Sequence, residues 1–290
     1  MRDNMISCIV SDLDGTLLDG SGEISTKTKQ AIQTLKQHGI SFVVATGRDL
    51  KGAGSVFKGM DQQEYILLNG SIIMHQNQKV HECCLDETML RQINAILTTY
   101  QIPCIYFTNK GIISNNKAVT HQHFVDALIR SGMSQAEIEQ MLNSDGFGDY
   151  ADEITDLDTL LQQNYIVYKC EFYARDEVQY QELCQKLNAI EHMAISGWIS
   201  LNIECTHAWA NKGDALKAYA LQQAIPMDQI VVLGDSSNDI SMMKVVKHSI
   251  AMQNASDKVK AVAAYTLQYS HREDGVAYVI EQILERYGDQ

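Results

Sequence analysis

Residues 7–20, SCIVSDLDGTLLDG, decide the fold, because an apolar run leads directly into two closely spaced aspartates. Residues 6–10 form a short run rich in β-branched side chains, which is typical of a buried strand and too short for a helix. Turn-forming residues then end the strand, so Asp12 and Asp14 lie at its C-terminal end, where open α/β sheets place their ligands. Two carboxylates so close repel each other. The stretch therefore suggests a metal site, with a solvated turn as the simpler alternative.

Alternating strands and helices continue beyond this stretch. Residues 25–38 carry apolar side chains at helical spacing behind a serine or threonine N-cap, and a glycine ends them. The runs 40–48 and 64–71 are typical of buried strands, and a hairpin turning near Asn77 follows. Strands that alternate with helices predict a parallel sheet with crossover helices.

The order of elements changes from about residue 86 and the α/β alternation resumes after Cys205. We therefore predict a Rossmann-like parallel-sheet core over residues 1–84 and 206–290, interrupted by an α+β cap domain over residues 85–205. The predicted strands of the cap cover residues 104–108, 112–114, 166–174, 190–196 and 198–204, and its helices cover residues 87–100, 121–130 and 177–187. Its core is expected to include the aromatic residues Trp198, Tyr106, Phe172 and Tyr173.

The remainder of the core follows the same alternation. It is predicted to contain a helix over residues 211–223, a strand over 229–235, a helix from about 238, a strand over 249–252, and helices from 256 and over 276–286. The cap joins the core at only two points, which permits a hinge. A lid of that kind excludes water from a site.

Composition and charge narrow the function. A formal net charge of −13 without a basic stripe argues against a nucleic-acid binder, so a phosphorylated substrate needs a local cation to attract it. Seven scattered cysteines without a CxxC pair indicate reduced thiols of a cytoplasmic protein. No run approaches the roughly 18 apolar residues of a membrane span, and the N-terminus lacks the apolar core of a signal peptide. We expect a soluble, cytoplasmic protein.

Four motifs carry polar side chains that a parallel sheet would bring to one edge. They are Asp12 with Asp14, Thr46 with Gly47, Lys212, and Asp235 with Asn238 and Asp239. Each has a simpler explanation by itself: an exposed lysine, a turn that ends a strand, or an acidic N-cap. Their joint order along the chain favours one site.

The residue types predict phosphoryl chemistry. Asp12 is a candidate nucleophile toward phosphorus, since an aspartate is ordinarily ionised at neutral pH. Its charge repels a phosphate dianion, and Mg2+ held by Asp12 and Asp235 would offset that repulsion. Lys212 and Thr46 would contact phosphate oxygens. Asp14 is then free to act as a general acid and base, a role that typically contributes about 100- to 10,000-fold.

The ordered motifs DLDGT, ATGR, NKGDAL and GDSSND resemble the haloacid dehalogenase superfamily of phosphatases, in particular its Cof-like subgroup with an α/β cap. The resemblance extends to NG at residues 69–70, QNAS at 253–256 and EDGVA at 273–277, and so covers nearly the whole chain. It implies a Rossmann-like core, an aspartyl-phosphate intermediate and Mg2+.

The resemblance also implies a role for each matching residue. Asp12 matches the nucleophile and a metal ligand, and Asp14 matches the acid/base, with its main-chain carbonyl on the metal. Asp235 matches the remaining metal ligand of the protein, and Asp239 its outer-shell support. The positions that match phosphate contacts are the main chain of Leu13 together with Thr46, Gly47, Lys212 and Asn238.

The sequence thus predicts a Mg2+-dependent phosphatase that acts on a small phosphorylated metabolite, a sugar phosphate or a phosphorylated cofactor. Two alternatives stay open: a phosphoryl transferase or phosphomutase with the same site, and a non-enzymatic sensor of phosphorylated ligands. Arg48 follows a predicted phosphate turn and is a candidate for contact with substrate or cap. His121 and His123 are two residues apart and cannot share a helix face, which disfavours a metal site there. The sequence leaves the oligomeric state open.

Overall fold

The computed structural model describes residues 5–60, 63–142, 152–197 and 199–288. It divides into two compact units, Met1–Glu82 with Ala210–Gln290, here called the core, and Cys83–Trp209, here called the insert. These junctions lie two to four residues from the boundaries placed by sequence. Within the described ranges, no helix combines the length and apolar character that crossing a membrane requires.

The helices and strands follow one another along the chain in three blocks. The first block of the core contains β1 (Cys8–Ser11), α1 (Thr26–Gln37), β2 (Ser41–Ala45), α2 (Leu50–Ser55), β3 (Glu64–Leu67), β4 (Ile72–His75) and β5 (Gln78–Glu82). The insert contains α3 (Glu87–Tyr100), β6 (Ile105–Thr108), β7 (Gly111–Ser114), α4 (Lys117–Arg130), α5 (Gln135–Leu142), β8 (Asp152–Glu153), α6 (Leu157–Gln162), β9 (Val167–Tyr173), α7 (Glu177–Leu187), β10 (Met193–Ser196) and β11 (Asn202–His207). The core resumes with α8 (Lys212–Gln222), β12 (Ile230–Gly234), α9 (Ile240–Met243), β13 (His248–Ala251), α10 (Asp257–Lys260), β14 (Tyr265–Thr266) and α11 (Gly275–Gly288).

The core is built on an eight-stranded sheet in the order β14-β13-β12-β1-β2-β3-β4-β5. The six strands from β14 to β3 are parallel to their neighbours, and the β4–β5 hairpin adds two antiparallel strands at one edge. The predicted α/β class with a parallel core sheet is confirmed. Because β1 lies between β12 and β2, the C-terminal ends of these three strands are direct neighbours.

Local sequence explains why helix α1 forms. The Ser25 hydroxyl accepts a hydrogen bond from the main-chain N–H of Thr28, which caps the helix, and Gly39 with φ +75° follows its end. Ile32 and Leu35 are fully buried on one face of α1. Fully burying a side chain of this size stabilises the fold by about 1.5–3 kcal/mol.

The insert has a second sheet, in the order β10-β11-β9-β6-β7-β8, antiparallel except for the β7–β8 pair. All seven residues of β9 are buried, because one face of this sheet packs on α3, α6 and α7 and the other on α4. Tyr106, Phe172 and Tyr173 are buried as predicted. Trp198 lies outside the described residues.

Several predicted boundaries in the insert were wrong. Helix α4 begins at Lys117, four residues earlier than predicted, because the Asn116 side chain caps it by accepting from the N–H of Val119. Strands β10 and β11 begin at Met193 and Asn202, three and four residues later than predicted. The preceding residues His192 and Leu201 have left-handed backbone, with φ +57° and +58°, which ends an extended run. Helices α5 and α6 were not predicted.

The seven cysteines all lie in described positions and all are free thiols, as predicted. Four of them are buried: Cys8, Cys104, Cys170 and Cys205.

Candidate active site

The ends of three adjacent core strands bring three predicted site residues together. Asp12 directly follows β1, Thr46 follows β2 and Asp235 follows β12. The main-chain N–H of Asp12 donates to the carbonyl of Leu233 at 3.0 Å, and that of Thr46 donates to the carbonyl of Ile66 at 2.8 Å. These hydrogen bonds continue the sheet by one residue beyond β1 and β2, and they fix the backbone positions of Asp12 and Thr46.

Lys212 lies between two of the acidic residues. Its ammonium nitrogen is 2.5 Å from Oδ1 of Asp12 and 2.7 Å from Oδ1 of Asp239, and its side chain is fully buried. The residue occupies the first turn of α8, within the helix predicted over residues 211–223, and the N-cap Asn211 of that helix accepts from the N–H of Asp214. Burial alone would lower the pKa of Lys212, but the charges of Asp12 and Asp239 outweigh it and raise that pKa. Lys212 is therefore a permanent cation.

Asp12 is buried, with its side chain 6% exposed. Burial, and next the negative charge of Asp239, raise the pKa of Asp12 well above its usual range, while Lys212 acts in the opposite direction. The sequence-based expectation that Asp12 needs little adjustment of its pKa did not include this effect of burial. Ionisation of this carboxyl needs positive charge beside it.

Asp235 is held by the turn that follows Asp12. The hydroxyl of Thr16 donates to Oδ1 of Asp235 at 2.8 Å. Gly15 has φ +76°, and a β-carbon there would lie 2.6 Å from Oδ2 of Asp235, so only glycine fits. Burial is the main cause that raises the pKa of Asp235 to about 6.

Asp239 completes the acidic group and also fixes the loop after β12. Its Oδ2 accepts hydrogen bonds from the main-chain N–H groups of Asp235 at 2.9 Å and Ser236 at 3.0 Å, while Oδ1 faces Lys212. With both oxygens engaged, Asp239 is suited to orienting its neighbours.

The carboxylates of Asp12, Asp235 and Asp239 each offer an oxygen within 4.8 Å of the others. In the described part of the chain, these three buried or half-buried carboxylates lie beside one ammonium, that of Lys212, so their negative charge is in excess. Hard oxygen donors and excess negative charge are what Mg2+ requires. The donor set therefore fits a divalent cation of this kind.

Asp14 lies apart from this group. Its side chain is 58% exposed and forms an ion pair with Arg48, whose Nη2 is 2.6 Å from Oδ1 of Asp14. The two aspartates of the DLD motif therefore occupy different environments, one buried beside a lysine and one in solvent. Leu13 between them is fully buried.

Asn69 lies beside three of the predicted phosphate contacts, Thr46, Gly47 and Asn238, and its role was not predicted from sequence. The side-chain carbonyl of Asn69 accepts from the amide of Asn238 at 3.0 Å, and its main-chain N–H donates to the carbonyl of Thr46. A β-carbon on Gly47 would lie 3.2 Å from the same Asn69 oxygen. Asn69 has φ +58°, which asparagine tolerates better than most residues. The NG dipeptide after a buried strand was the available signal.

Comparison with known proteins assigns the chain to a family. The sequence model of the family described as haloacid dehalogenase-like hydrolase matches residues 9–280. The chain therefore belongs to the haloacid dehalogenase-like hydrolases. It is an enzyme, and the names of its relatives give its class as phosphomonoester hydrolase.

Two of these relatives come from Bacillus subtilis. The chain is 26% identical over 285 residues to the 5-amino-6-(5-phospho-D-ribitylamino)uracil phosphatase YwtE, covering 96% of this chain and 98% of that protein. It is 26% identical over 297 residues to the phosphatase YwpJ, covering 95% and 99%.

Solved structures agree on the fold. A haloacid dehalogenase-like hydrolase from Bacillus subtilis matches with a TM-score of 0.79 at 24% identity, over 95% of this chain and 99% of that one. A protein from Thermotoga maritima matches with a TM-score of 0.78 at 21% identity, over 96% and 97%. The HAD-like fold predicted from the motifs is confirmed.

Proposed function

We propose that the core site hydrolyses the phosphate monoester of a small metabolite through a phosphoryl group carried on Asp12. The observation that supports this most strongly is the burial of Asp12 in hydrogen-bond contact with Lys212 and beside Asp235. The ammonium of Lys212 would attract a phosphate toward Asp12. The carboxylate of Asp235, together with that of Asp12, would bind a cation. That combination suits a nucleophile toward phosphorus.

Asp12 and Asp235 are the residues that would hold Mg2+, with the main-chain carbonyl of Asp14. Asp239 supports them without ligating, because its oxygens already accept from Lys212 and two N–H groups. When bound, Mg2+ supplies positive charge that lowers the pKa of Asp12 and neutralises phosphate oxygens.

Thr46 and Asn238 bind the phosphoryl group with Lys212, the backbone at Gly47 and the main chain of Leu13. The Thr46 Oγ1 accepts from the main-chain N–H of Arg48 at 3.1 Å, so its own proton is available to a phosphate oxygen. The Asn69 contact fixes the Asn238 amide on the same side. These donors orient the phosphorus toward Asp12.

Asp14 moves the protons. In the first step a carboxylate oxygen of Asp12 bonds to phosphorus as the ester P–O bond breaks, and Asp14 gives its proton to the leaving oxygen. In the second step Asp14 takes a proton from a water that attacks phosphorus. The bond between phosphorus and Asp12 then breaks, which releases inorganic phosphate and restores the carboxylate.

The substrate we propose is a sugar phosphate or a phosphorylated cofactor. The relative YwtE is named for 5-amino-6-(5-phospho-D-ribitylamino)uracil, a small molecule whose phosphate is on a ribityl chain, which supports a substrate of this size and kind. Seven free thiols agree with a cytoplasmic location, where thiols stay reduced.

The test is release of inorganic phosphate from a panel of sugar phosphates, phosphorylated cofactors and p-nitrophenyl phosphate, with and without Mg2+. We expect turnover that requires Mg2+ and is lost in D12N. A bisphosphate product would instead indicate a phosphomutase. Binding without phosphate release from any member of the panel would indicate a sensor and contradict the proposal.

A further inference from the structure

The guanidinium of Arg48 donates two hydrogen bonds to the carboxylate of Asp14. Its Nε donates to Oδ2 at 3.0 Å and its Nη2 donates to Oδ1 at 2.6 Å. Its Nη1 also donates to the main-chain carbonyl of Gly52 at 3.3 Å, which ties the guanidinium to α2. A two-pronged contact fixes the plane of a carboxylate as well as its position.

The main chain of Arg48 is itself anchored in the site. Its N–H donates to Oγ1 of Thr46 at 3.1 Å, and its carbonyl accepts from the N–H of Leu68 at 3.0 Å. Asp49 directly after it caps α2 by accepting from the N–H of Gly52 at 2.9 Å. Arg48 is thus held at its backbone by the β2–α2 junction and at its tip by α2, so it is a rigid support.

Asp14 needs such a support. Its side chain is 58% exposed in the turn after β1, and its backbone, with φ −79° and ψ +122°, is not helical. An exposed carboxylate without a fixed partner samples several rotamers. Within the described ranges, Arg48 is the residue that holds it, and a general acid misplaced by about 1 Å can lose on the order of 100-fold in rate.

Resting on the proposed function, we infer that Arg48 is a positioning residue for the hydrolysis. It acts through Asp14 by fixing the carboxyl group that gives a proton to the leaving oxygen and takes one from water.

The test uses the leaving group. An alkoxide leaving from a sugar phosphate needs a proton from Asp14, whereas p-nitrophenolate leaves with little help. Because only the first step depends on the leaving group, the test measures that step in a single turnover. We expect R48A to slow the release of the alcohol from the sugar phosphate that the wild type hydrolyses fastest by about 10- to 100-fold, and the release of p-nitrophenol by less than about 3-fold. R48K keeps the positive charge but lacks the planar pair of N–H donors, so it should recover only part of the lost rate.

Two controls isolate the effect. In a D14N background, R48A should cause no further loss with the sugar phosphate, because the two residues act as one unit. R91A removes an exposed arginine of the insert that pairs with Glu87 and Asp158, and should leave both single-turnover rates unchanged.

The outcomes separate this inference from the proposed function. Equal losses on both substrates, a change in KM alone, full recovery in R48K, or a further loss in the D14N background would overturn the positioning role. If the wild type released no phosphate from the panel, or if D12N kept wild-type turnover, the proposed function would fail and the inference with it.

Discussion

The ammonium of Lys212 lies 2.5 Å from Oδ1 of Asp12, and both side chains are buried. Removing two charges from water is costly unless each is paired, so this contact offsets the cost of burying both groups. One lysine cannot balance the three carboxylates of Asp12, Asp235 and Asp239. The remaining negative charge explains why a divalent cation should stabilise the folded protein.

The stabilisation by Mg2+ should depend on pH. Asp235 has its pKa raised from 3.8 to about 6, so the metal-free folded protein binds more protons than the unfolded chain between those values. Its contribution to stability is present at low pH and is lost as the pH rises through about 6. Mg2+ replaces that proton. We expect Mg2+ to raise the Tm clearly at about pH 7.5 and hardly at about pH 5. At 100 times its Kd it should add about 2.7 kcal/mol to the free energy of unfolding at the higher pH.

Thermal denaturation at both pH values, with Mg2+ and with a chelator, measures this difference. The D235N variant should show no Mg2+-dependent shift at either pH, because it lacks the carboxylate. A Tm that rises equally at both pH values, or that rises in D235N as in the wild type, would count against a cation at this site.

Replacing Gly15 by alanine should disable the site through Asp235. The added β-carbon would lie 2.6 Å from Oδ2 of Asp235, and the backbone has φ +76°. We expect G15A to lose the Mg2+-dependent rise in Tm together with most activity. Gly22 provides the matched control, since it has φ +82° but nothing within 4 Å of its β-carbon position.

The G22A variant should therefore show only the backbone cost, about 1–2 kcal/mol, with activity and the Mg2+ effect intact. Comparable activity and metal response in G15A and G22A would show that the approach of Gly15 to Asp235 has no functional consequence.

A second buried ion cluster should make the insert sensitive to one substitution. Lys169 is 3.0 Å from Oε2 of Glu171 and 2.6 Å from Oε1 of Glu204, and its ammonium lies 3.9 Å from the centre of the Phe107 ring. K169M leaves two buried carboxylates without a cation. It should lower the free energy of unfolding by about 3–5 kcal/mol in denaturant titration.

Two control variants test whether the effect of K169M comes from the buried charges. K186M changes an exposed lysine of α7 and should alter the stability by less than about 0.5 kcal/mol. The triple variant K169M/E171Q/E204Q should regain part of the loss, because no uncompensated charge stays buried. If K169M were as stable as K186M, the cluster would contribute nothing to folding.

The fold of the core and the positions of its site residues along the chain could be predicted from the sequence, because both depend on local patterns. Asp12, Thr46 and Asp235 each end a short apolar run, and parallel strands necessarily place such ends together. The crossover helices follow from the same alternation of strands and helices.

Features that depend on three-dimensional neighbours were not readable. The raised pKa of Asp12 comes from burial and from Asp239, which is 227 residues away in sequence. The contact between Asn69 and Asn238 joins two loops with no sequence link. In the insert, His192 and Leu201 adopt left-handed backbone that apolar patterning does not reveal, so strand starts were misplaced there.

A phosphoryl group on Asp12 should be directly detectable in D14N. With p-nitrophenyl phosphate the first step needs little acid, whereas the second step needs Asp14 as a base, so phosphorylated enzyme should accumulate. Acid quenching, digestion at low pH and mass spectrometry should then find the phosphoryl group on the peptide that contains Asp12, and none in D12N/D14N. Turnover without any phosphorylated peptide, or a phosphoryl group on another residue, would contradict this account.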